Sequence, residues 1–327
     1  MATLDPSGRQ GRHARTARHR PLQPAPVLEE SVPSDQKITD EPWTISRLLA
    51  WTTDFLRRRG SESPRLDAEV LLAHVLDWQR VQLYTHYEEE VGERARGAFR
   101  DLLRRRAEGA PVAYLVGRKE FYSLALEVSP AVLIPRPESE FAVVEFLEMA
   151  RSMDQPRAVD VGTGSGCLAI ACAHQHSSVR FVAIDCSADA LALARKNAGR
   201  HGVAERIDFR LGDVLEPVAA EPPFDLIISN PPYIPTDVIP TLEPGVRDHE
   251  PHLALDGGPD GLRVVARLIE QSIPLLNPGG HLILEIGTAQ EQLVRALIEA
   301  YPELRATPTI RDLRKHPRVI RAERQKQ

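Results

Sequence analysis

From Trp43 to about Glu108, large apolar residues recur at steps of three and four, the spacing of one helix face. Trp43-Thr44-Ile45 opens a first helix with Leu48, Leu49, Trp51 and Leu56 on its apolar side, and Gly60-Ser61 ends it. Pro64 suits the first turn of a second helix, along which Leu66, Val70, Leu71, Val75 and Leu76 repeat. A short helix over Val81–Tyr87 and a longer one over Glu93–Arg106, with Phe99, Leu102 and Leu103 inward, complete a predicted bundle. The pattern then changes. Tyr114-Leu115-Val116-Gly117 turns the chain, and Glu120-Phe121-Tyr122 with Leu124–Val128 predicts a hairpin. Ile134-Pro135-Arg136-Pro137 is stiff and leads into a helix from about Glu138, where Glu138 and Glu140 suit the first turn of the dipole.

Beyond that point short apolar runs alternate with helical periodicity. Strands are predicted at Arg157–Val161, Val179–Asp185, Ile207–Leu211, Phe224–Ser229, His281–Ile286, Leu304–Thr309 and Arg318–Ala322. Helices are predicted at Cys167–His174, Ala188–His201, Leu262–Leu276 and Gln290–Ala300. Such alternation predicts an α/β fold: a mostly parallel sheet, helices on both faces, and a ligand over the carboxyl ends of the strands. The chain divides into a disordered tail (1–40), a helical domain (41–110), a hairpin connector (111–137) and an α/β domain (138–327).

Composition narrows the partners. The net charge of −5 gives no global basic field, so direct nucleic-acid binding is not expected. Arg94, Arg96, Arg100, Arg104, Arg105 and Arg106 crowd one helix and read first as a solvated face, with contact to RNA or an acidic protein as the alternative. The tail carries Arg9, Arg12, Arg15, Arg18 and Arg20 without amphipathic spacing or an apolar signal core, so it reads as a floppy extension rather than a transit peptide. Cys167, Cys172 and Cys186 have neither an even count nor zinc spacing, which predicts no metal, no disulfide and a reducing compartment, the cytoplasm. No apolar run reaches the ~18 residues of a membrane span, so no membrane partner is expected.

The chemistry sits at the strand ends. Asp160-Val161-Gly162-Thr163-Gly164-Ser165-Gly166 closes one strand and opens a helix, with glycines for a tight turn and close ligand approach. It lacks the Gly-x-Gly-x-x-Gly spacing of dinucleotide sites and the Lys-Ser/Thr of a P-loop, so it does not read as a phosphate cradle. Asp185 ends the next strand, where a carboxylate accepts both ribose hydroxyls. Gly212-Asp213-Val214 ends the third and offers contacts to an adenine edge and face. A glycine loop, a ribose acid and no phosphate logic point to S-adenosylmethionine. On the fourth strand end, Asn230-Pro231-Pro232-Tyr233 makes a stiff loop with an amide, carbonyls uncompeted by proline N–H groups, and an aromatic face. That set suits a planar group bearing NH2, either an amide or an exocyclic base amine.

Taken together, Asp160–Gly166 followed by Ser229–Tyr233 resembles the amino-group class of S-adenosylmethionine-dependent methyltransferases. The stretches Arg105–Gly117, Glu120-Phe121-Tyr122 and Val132–Glu140 resemble the release-factor glutamine N5-methyltransferases. So do Pro251–Leu262, Glu285-Ile286-Gly287 with Gln290, Asp312-Leu313 and Arg318-Val319-Ile320. The resemblance covers about residues 43 to 323. It implies a class I, Rossmann-like methyltransferase with a seven-stranded mostly parallel sheet and a small N-terminal helical bundle that docks the substrate. It implies methyl transfer from S-adenosylmethionine, leaving S-adenosylhomocysteine, to the glutamine of a Gly-Gly-Gln motif in peptide-chain release factors. It also implies a monomer. Gly162, Thr163, Gly164, Ser165, Gly166, Asp185, Asp213, Val214 and Asn230 are then the cofactor residues. Asn230, Pro231, Pro232 and Tyr233 are the catalytic and substrate residues. Ser139 stands where the family has Thr, Ser123 where Gly is usual, and Val214 where an aromatic often packs on adenine. Two alternatives remain open: N6-adenine methylation of DNA or RNA, and glutamine methylation of a ribosomal protein.

Overall fold

Thr44 caps the first helix: its side chain accepts the Arg47 amide, so α1 (Ile45–Arg58) starts two residues later than Trp43. Four more helices follow: α2 (Pro64–Leu76), α3 (Arg80–Thr85), α4 (Glu93–Ala107) and α5 (Val112–Val116). They enclose a core of their own that includes Leu49, Leu71, Leu72, Leu83, Phe99 and Leu115. The computed structural model describes residues 42–326, and the expectations for the 1–40 tail lie outside them.

One helix face differs from its apolar pattern. Leu66, expected inward, is 45% exposed, while Asp67 and Glu69 are buried. Donors explain the reversal. Glu69 pairs with Arg65 and Arg80 and accepts from Tyr84. Asp67 accepts from Ser61 and from Arg106 at 2.8 Å. Arg106, expected on a solvated face, is therefore an internal brace between α2 and α4. Arg94, Arg100, Arg104 and Arg105 are exposed.

Where a simple turn was expected, α5 forms and Gly117 ends it at φ +70°. Strands β1 (Arg118–Phe121) and β2 (Leu124–Glu127) pair antiparallel, with Tyr122 and Ser123 both left-handed in the tight turn. After a turn over Pro137–Ser139, α6 runs Glu140–Ala150. The order is then β3 (Arg157–Val161), α7 (Cys167–Gln175), β4 (Arg180–Asp185), α8 (Ala188–Arg200), β5 (Ile207–Leu211) and β6 (Phe224–Ser229). It continues with α9 (Pro244–Arg247), α10 (Arg263–Leu275), β7 (Leu276–Glu285), α11 (Glu291–Glu299), β8 (Leu304–Ala306), β9 (Ile310–Arg311) and β10 (Pro317–Arg324).

The main sheet has the order β5-β4-β3-β6-β7-β10-β8, and the two-residue β9 adds to β10 as an eighth strand. Strands β3 to β7 pair parallel, and β10 runs antiparallel to β7 and β8. Both faces are buried by alternation: Ala158, Leu226 and Ile283 face one core, and Val159, Ile227 and Leu282 the other. The strand order reverses beside β3, which has β4 on one side and β6 on the other. A crevice opens at such a switch point. Register fixes what meets there. Val161 is level with Ile184 and with Ser229, so Gly162, Asp185 and Asn230 leave the sheet at one edge.

Candidate active site

Three glycines in the β3–α7 loop take positive φ, at +70° for Gly162, +55° for Gly164 and +83° for Gly166. Their surroundings separate them. A Cβ on Gly162 would meet nothing within 4 Å, so this backbone faces open space. A Cβ on Gly166 would lie 2.7 Å from Ile170 Cδ1 and 3.3 Å from Ala194 Cβ, so this glycine lets α7 pack against α8. Beneath the loop, Asp160 is fully buried. Its Oδ2 accepts from Thr163 Oγ1 at 2.7 Å and from the Ala169 amide at 3.2 Å, while Oδ1 has no partner. Burial pushes its pKa up to about 7, against the pull of those two donors.

Asp185 closes β4 and grips the loop from the other side. Its Oδ2 accepts from the Gly164 amide at 2.8 Å and its Oδ1 from the Ser187 amide at 2.9 Å. Burial raises its pKa above the ordinary carboxylate value. Next to it the chain bends sharply. The Gly212 amide donates to Asp185 O, a Cβ on Gly212 would strike Pro217 at 2.2 Å, and the buried Val214 is held at φ +50°. A β-branched residue in that region is strained, and such strain collects at functional sites. The Asp213 carboxylate pairs with Arg267 at 2.8 Å.

The fourth strand end is held most tightly. Ser229 Oγ donates to Val161 O at 2.6 Å, and Asn230 Nδ2 donates to Ser139 Oγ at 3.1 Å. Gln290 Nε2 donates to both Tyr233 O and Gly261 O, at 3.0 and 3.1 Å. The Tyr233 hydroxyl points at Glu285 Oε1, 3.4 Å away. Burial pushes Glu285 up to about 7 and raises the Tyr233 phenol as well. Opposite, Arg136 pairs with buried Glu250, whose Oε2 also accepts the Ile134 amide at 3.1 Å. One cavity of ≈ 300 Å³ joins these parts. Gly162, Thr163, Gly164, Ser165, Asp185, Asp213 and Val214 line it, and so do Asn230, Pro231 and Pro232. Gly166 and Tyr233 are not among its lining residues.

Residues 47–117 match the family described as PrmC N-terminal domain, and 141–239 the family described as Methyltransferase small domain. A release factor glutamine methyltransferase from Rhodopirellula baltica is 42% identical over 285 residues, covering 86% of this chain and 96% of that protein. One from Geobacter sulfurreducens is 41% identical over 259 residues, covering 79% and 89%. The chain belongs to the release factor glutamine methyltransferase family. The catalytic domain of hMettl16, solved in complex with MAT2A 3′UTR hairpin 6, is only 16% identical but shares the fold. Its TM-score is 0.51, over 69% of this chain and 82% of that one.

The enzyme is thus an S-adenosylmethionine-dependent methyltransferase with a class I fold and an N-terminal helical part, and its site fits that cofactor. The Gly162–Gly164 backbone is bare toward the cavity, the Asp185 carboxylate lines it, and buried Ser165 Oγ has no protein partner. Among the described residues no group of three His, Cys, Asp or Glu side chains is placed to hold a metal, and no helix is long and apolar enough to cross a membrane. Ser139 and Glu285 carry no role in the sequence pattern, yet both are buried at the site: Ser139 lines the cavity and accepts from Asn230, and Glu285 faces the Tyr233 hydroxyl. For Glu285 a signal existed: it is a carboxylate in an otherwise apolar strand. For Ser139 the only signal was the hydroxyl it shares with the family's Thr at that position, since its partner is 91 residues away.

Proposed function

We propose that this methyltransferase methylates the side-chain amide nitrogen (N5) of the glutamine in the Gly-Gly-Gln motif of peptide-chain release factors. One observation carries the reading furthest. Asn230 gives its Nδ2 to Ser139, which leaves Oδ1 as the end free to meet an NH2 group at the cavity. S-adenosylmethionine supplies an electrophilic methyl group when bound. The chain's own residues do the rest. The Gly162–Ser165 backbone and Asp185 would hold the cofactor, Asp185 as the acceptor for its ribose hydroxyls, and Asp213 and Val214 would border its base. Gly166 acts one step back, by seating α7.

An amide nitrogen is a poor nucleophile because its lone pair is shared with the carbonyl, the resonance that gives a peptide bond its ~18–20 kcal/mol rotation barrier. Asn230 Oδ1 and the Pro231 carbonyl accept the two N–H protons and so direct the lone pair. Pro232 and Pro231 keep that loop from yielding. Tyr233 is anchored at both ends, by Gln290 on its carbonyl and Glu285 on its hydroxyl, and stiffens the wall behind the amide. Alignment of this kind can lower a barrier by about 7–11 kcal/mol. The nitrogen sheds its proton after methylation, so no strong base is needed beside it.

The helical part, about 41–110, serves as the docking module for the protein substrate, the 111–137 hairpin as connector and 138–327 as the catalytic unit. The self-contained core of α1–α5 supports that division, although α5 carries it a few residues past 110. On this reading the enzyme works in the cytoplasm and as a monomer. Nucleic acid is not the substrate on this reading, in keeping with the acidic balance. The test is transfer of labelled methyl from S-adenosylmethionine to a release factor. Asn230→Ala lowers turnover about 10²-fold or more, by analogy with the loss of one oriented polar contact in a preorganised site, with cofactor affinity changed far less. Wild-type turnover in that variant contradicts the assignment.

A further inference from the structure

We propose that the Arg267 guanidinium of α10 is the platform for the adenine of the cofactor, on the reading that puts the base beside Asp213 and Val214. A purine is held by covering its face with a flat group, either an aromatic ring or a guanidinium plane. Among the described residues that line the cavity, none is aromatic. Three arginines line it instead: Arg136, Arg263 and Arg267. Their partners separate them. Arg136 pairs with Glu250, and Arg263 lies 3.5 Å from the Asp256 carboxylate. Arg267 is the one ion-paired with the turn beside the base. Its Nη2 is 2.8 Å from Asp213 Oδ2 and 3.4 Å from Glu216 Oε1.

The fold sets Arg267 there. Arg263, Arg267 and Gln271 recur every four residues and share one face of α10. The opposite face, with Val265, Leu268 and Ile269, is buried in the core. Gln271 Oε1 accepts the Leu215 amide at 3.0 Å, so α10 holds the Asp213–Glu216 turn at two points, one helical turn apart. The turn is also closed on itself, with the Glu216 amide donating to Asp213 O at 3.1 Å. Val214, left-handed at φ +50° and buried, packs its side chain into the same core. It borders the cavity with methyl groups only, so the π face of a base finds no flat partner in it.

The pairing of Arg267 also suits a cationic cofactor. An unpaired guanidinium would set a second positive charge in a site for a sulfonium. Asp213 and Glu216 offset it. Both acids meet it at one nitrogen, Nη2, which leaves the Nε and Nη1 end of the plane clear of them. The Arg267 side chain is 38% exposed, so it is open to a ligand rather than sealed in the core. A guanidinium over a base adds a cation–π attraction to the flat contact.

The test is equilibrium binding of S-adenosylhomocysteine and of adenosine to the full chain, followed by calorimetry. Both ligands carry the base, and only the first carries the amino-acid end. Arg267→Ala should weaken both by a similar factor, about 10-fold. Arg267→Lys keeps a charge for Asp213 but has no plane, so it should bind as weakly as Arg267→Ala. Wild-type affinity in Arg267→Lys overturns the platform, because a mere brace of the turn survives that exchange. A loss confined to S-adenosylhomocysteine overturns it as well, since the contact then lies at the amino-acid end. Should Arg267→Ala fail to fold, Arg267→Lys decides the same point. The place of the base is checked separately, by magnetisation transfer between the Val214 methyl groups and the adenine ring protons of bound S-adenosylhomocysteine. Transfer together with unchanged affinity in both variants overturns the platform and keeps the base beside Val214. No transfer overturns that placement, and the platform with it.

Discussion

Asp160 shows how far a single residue could be read in advance. Its place before the glycine loop was plain in the sequence, because a charge ends an apolar run there. Its energetic state was not, because that depends on complete burial and on donors that only folding supplies. With a folded pKa near 7 against an ordinary value of 3.8, the native state keeps a proton that the unfolded chain has lost. Stability therefore falls as pH rises through that window, by about 1.4 kcal/mol per pH unit for one such group, and is lowest above it. Asp160→Asn removes the buried charge. Melting of the cofactor-free protein should show the variant gaining on the order of 4 kcal/mol over the wild type at about pH 8, and little at about pH 4. Equal gains at both values would mean that ionisation of Asp160 is not the cause. Asp185, Asn230 and the glycines were readable for the same reason as Asp160, since each stands where a strand ends. Ser139 and Glu285 were not, because their roles are made by contacts across the fold.

The central strands were legible as elements. Arg157–Val161 and Phe224–Ser229 begin and end where predicted, because parallel strands covered on both faces read as near-continuous apolar runs, while the edge strand Ile207–Leu211 shows itself by alternation, with exposed Asp208 between Ile207 and Phe209. The antiparallel edge was harder. Asn277-Pro278-Gly279-Gly280 reads as a turn, yet β7 begins at Leu276, where a register shift against β6 accommodates the proline and glycines. Pro308 ends β8 at Ala306 and leaves β9 as a separate piece. The β1–β2 turn makes its own prediction. Ser123, exposed, sits at φ +61° where its Cβ is crowded by backbone. Ser123→Gly should stabilise the protein by about 1 kcal/mol, the left-handed cost less the added freedom of the unfolded glycine. Denaturant unfolding measures this, and a destabilised variant would mean that the Ser123 side chain makes a contact worth more than the strain.

Across the whole molecule, the hairpin connector is bound to the α/β part by long-range polar ties. The helical part buries apolar side chains around paired acids, and the α/β part buries two sheet faces. Glu250 reaches back 116 residues to the Ile134 amide, and Asn197 ties the hairpin to the glycine loop through Glu127 and Ser165. Such ties hold the walls of one cavity in place, and no local pattern announces them. The division into helical and α/β parts was legible, because the apolar period itself changes between them. The central claim is that this cavity methylates a glutamine side chain. The direct measurement is to incubate the protein and labelled S-adenosylmethionine with a release factor or its Gly-Gly-Gln Gln→Ala variant, and to map the label by mass spectrometry. The account predicts one methyl group on that glutamine and none on the variant. Label that persists on the variant, or that appears on nucleic acid instead, contradicts it.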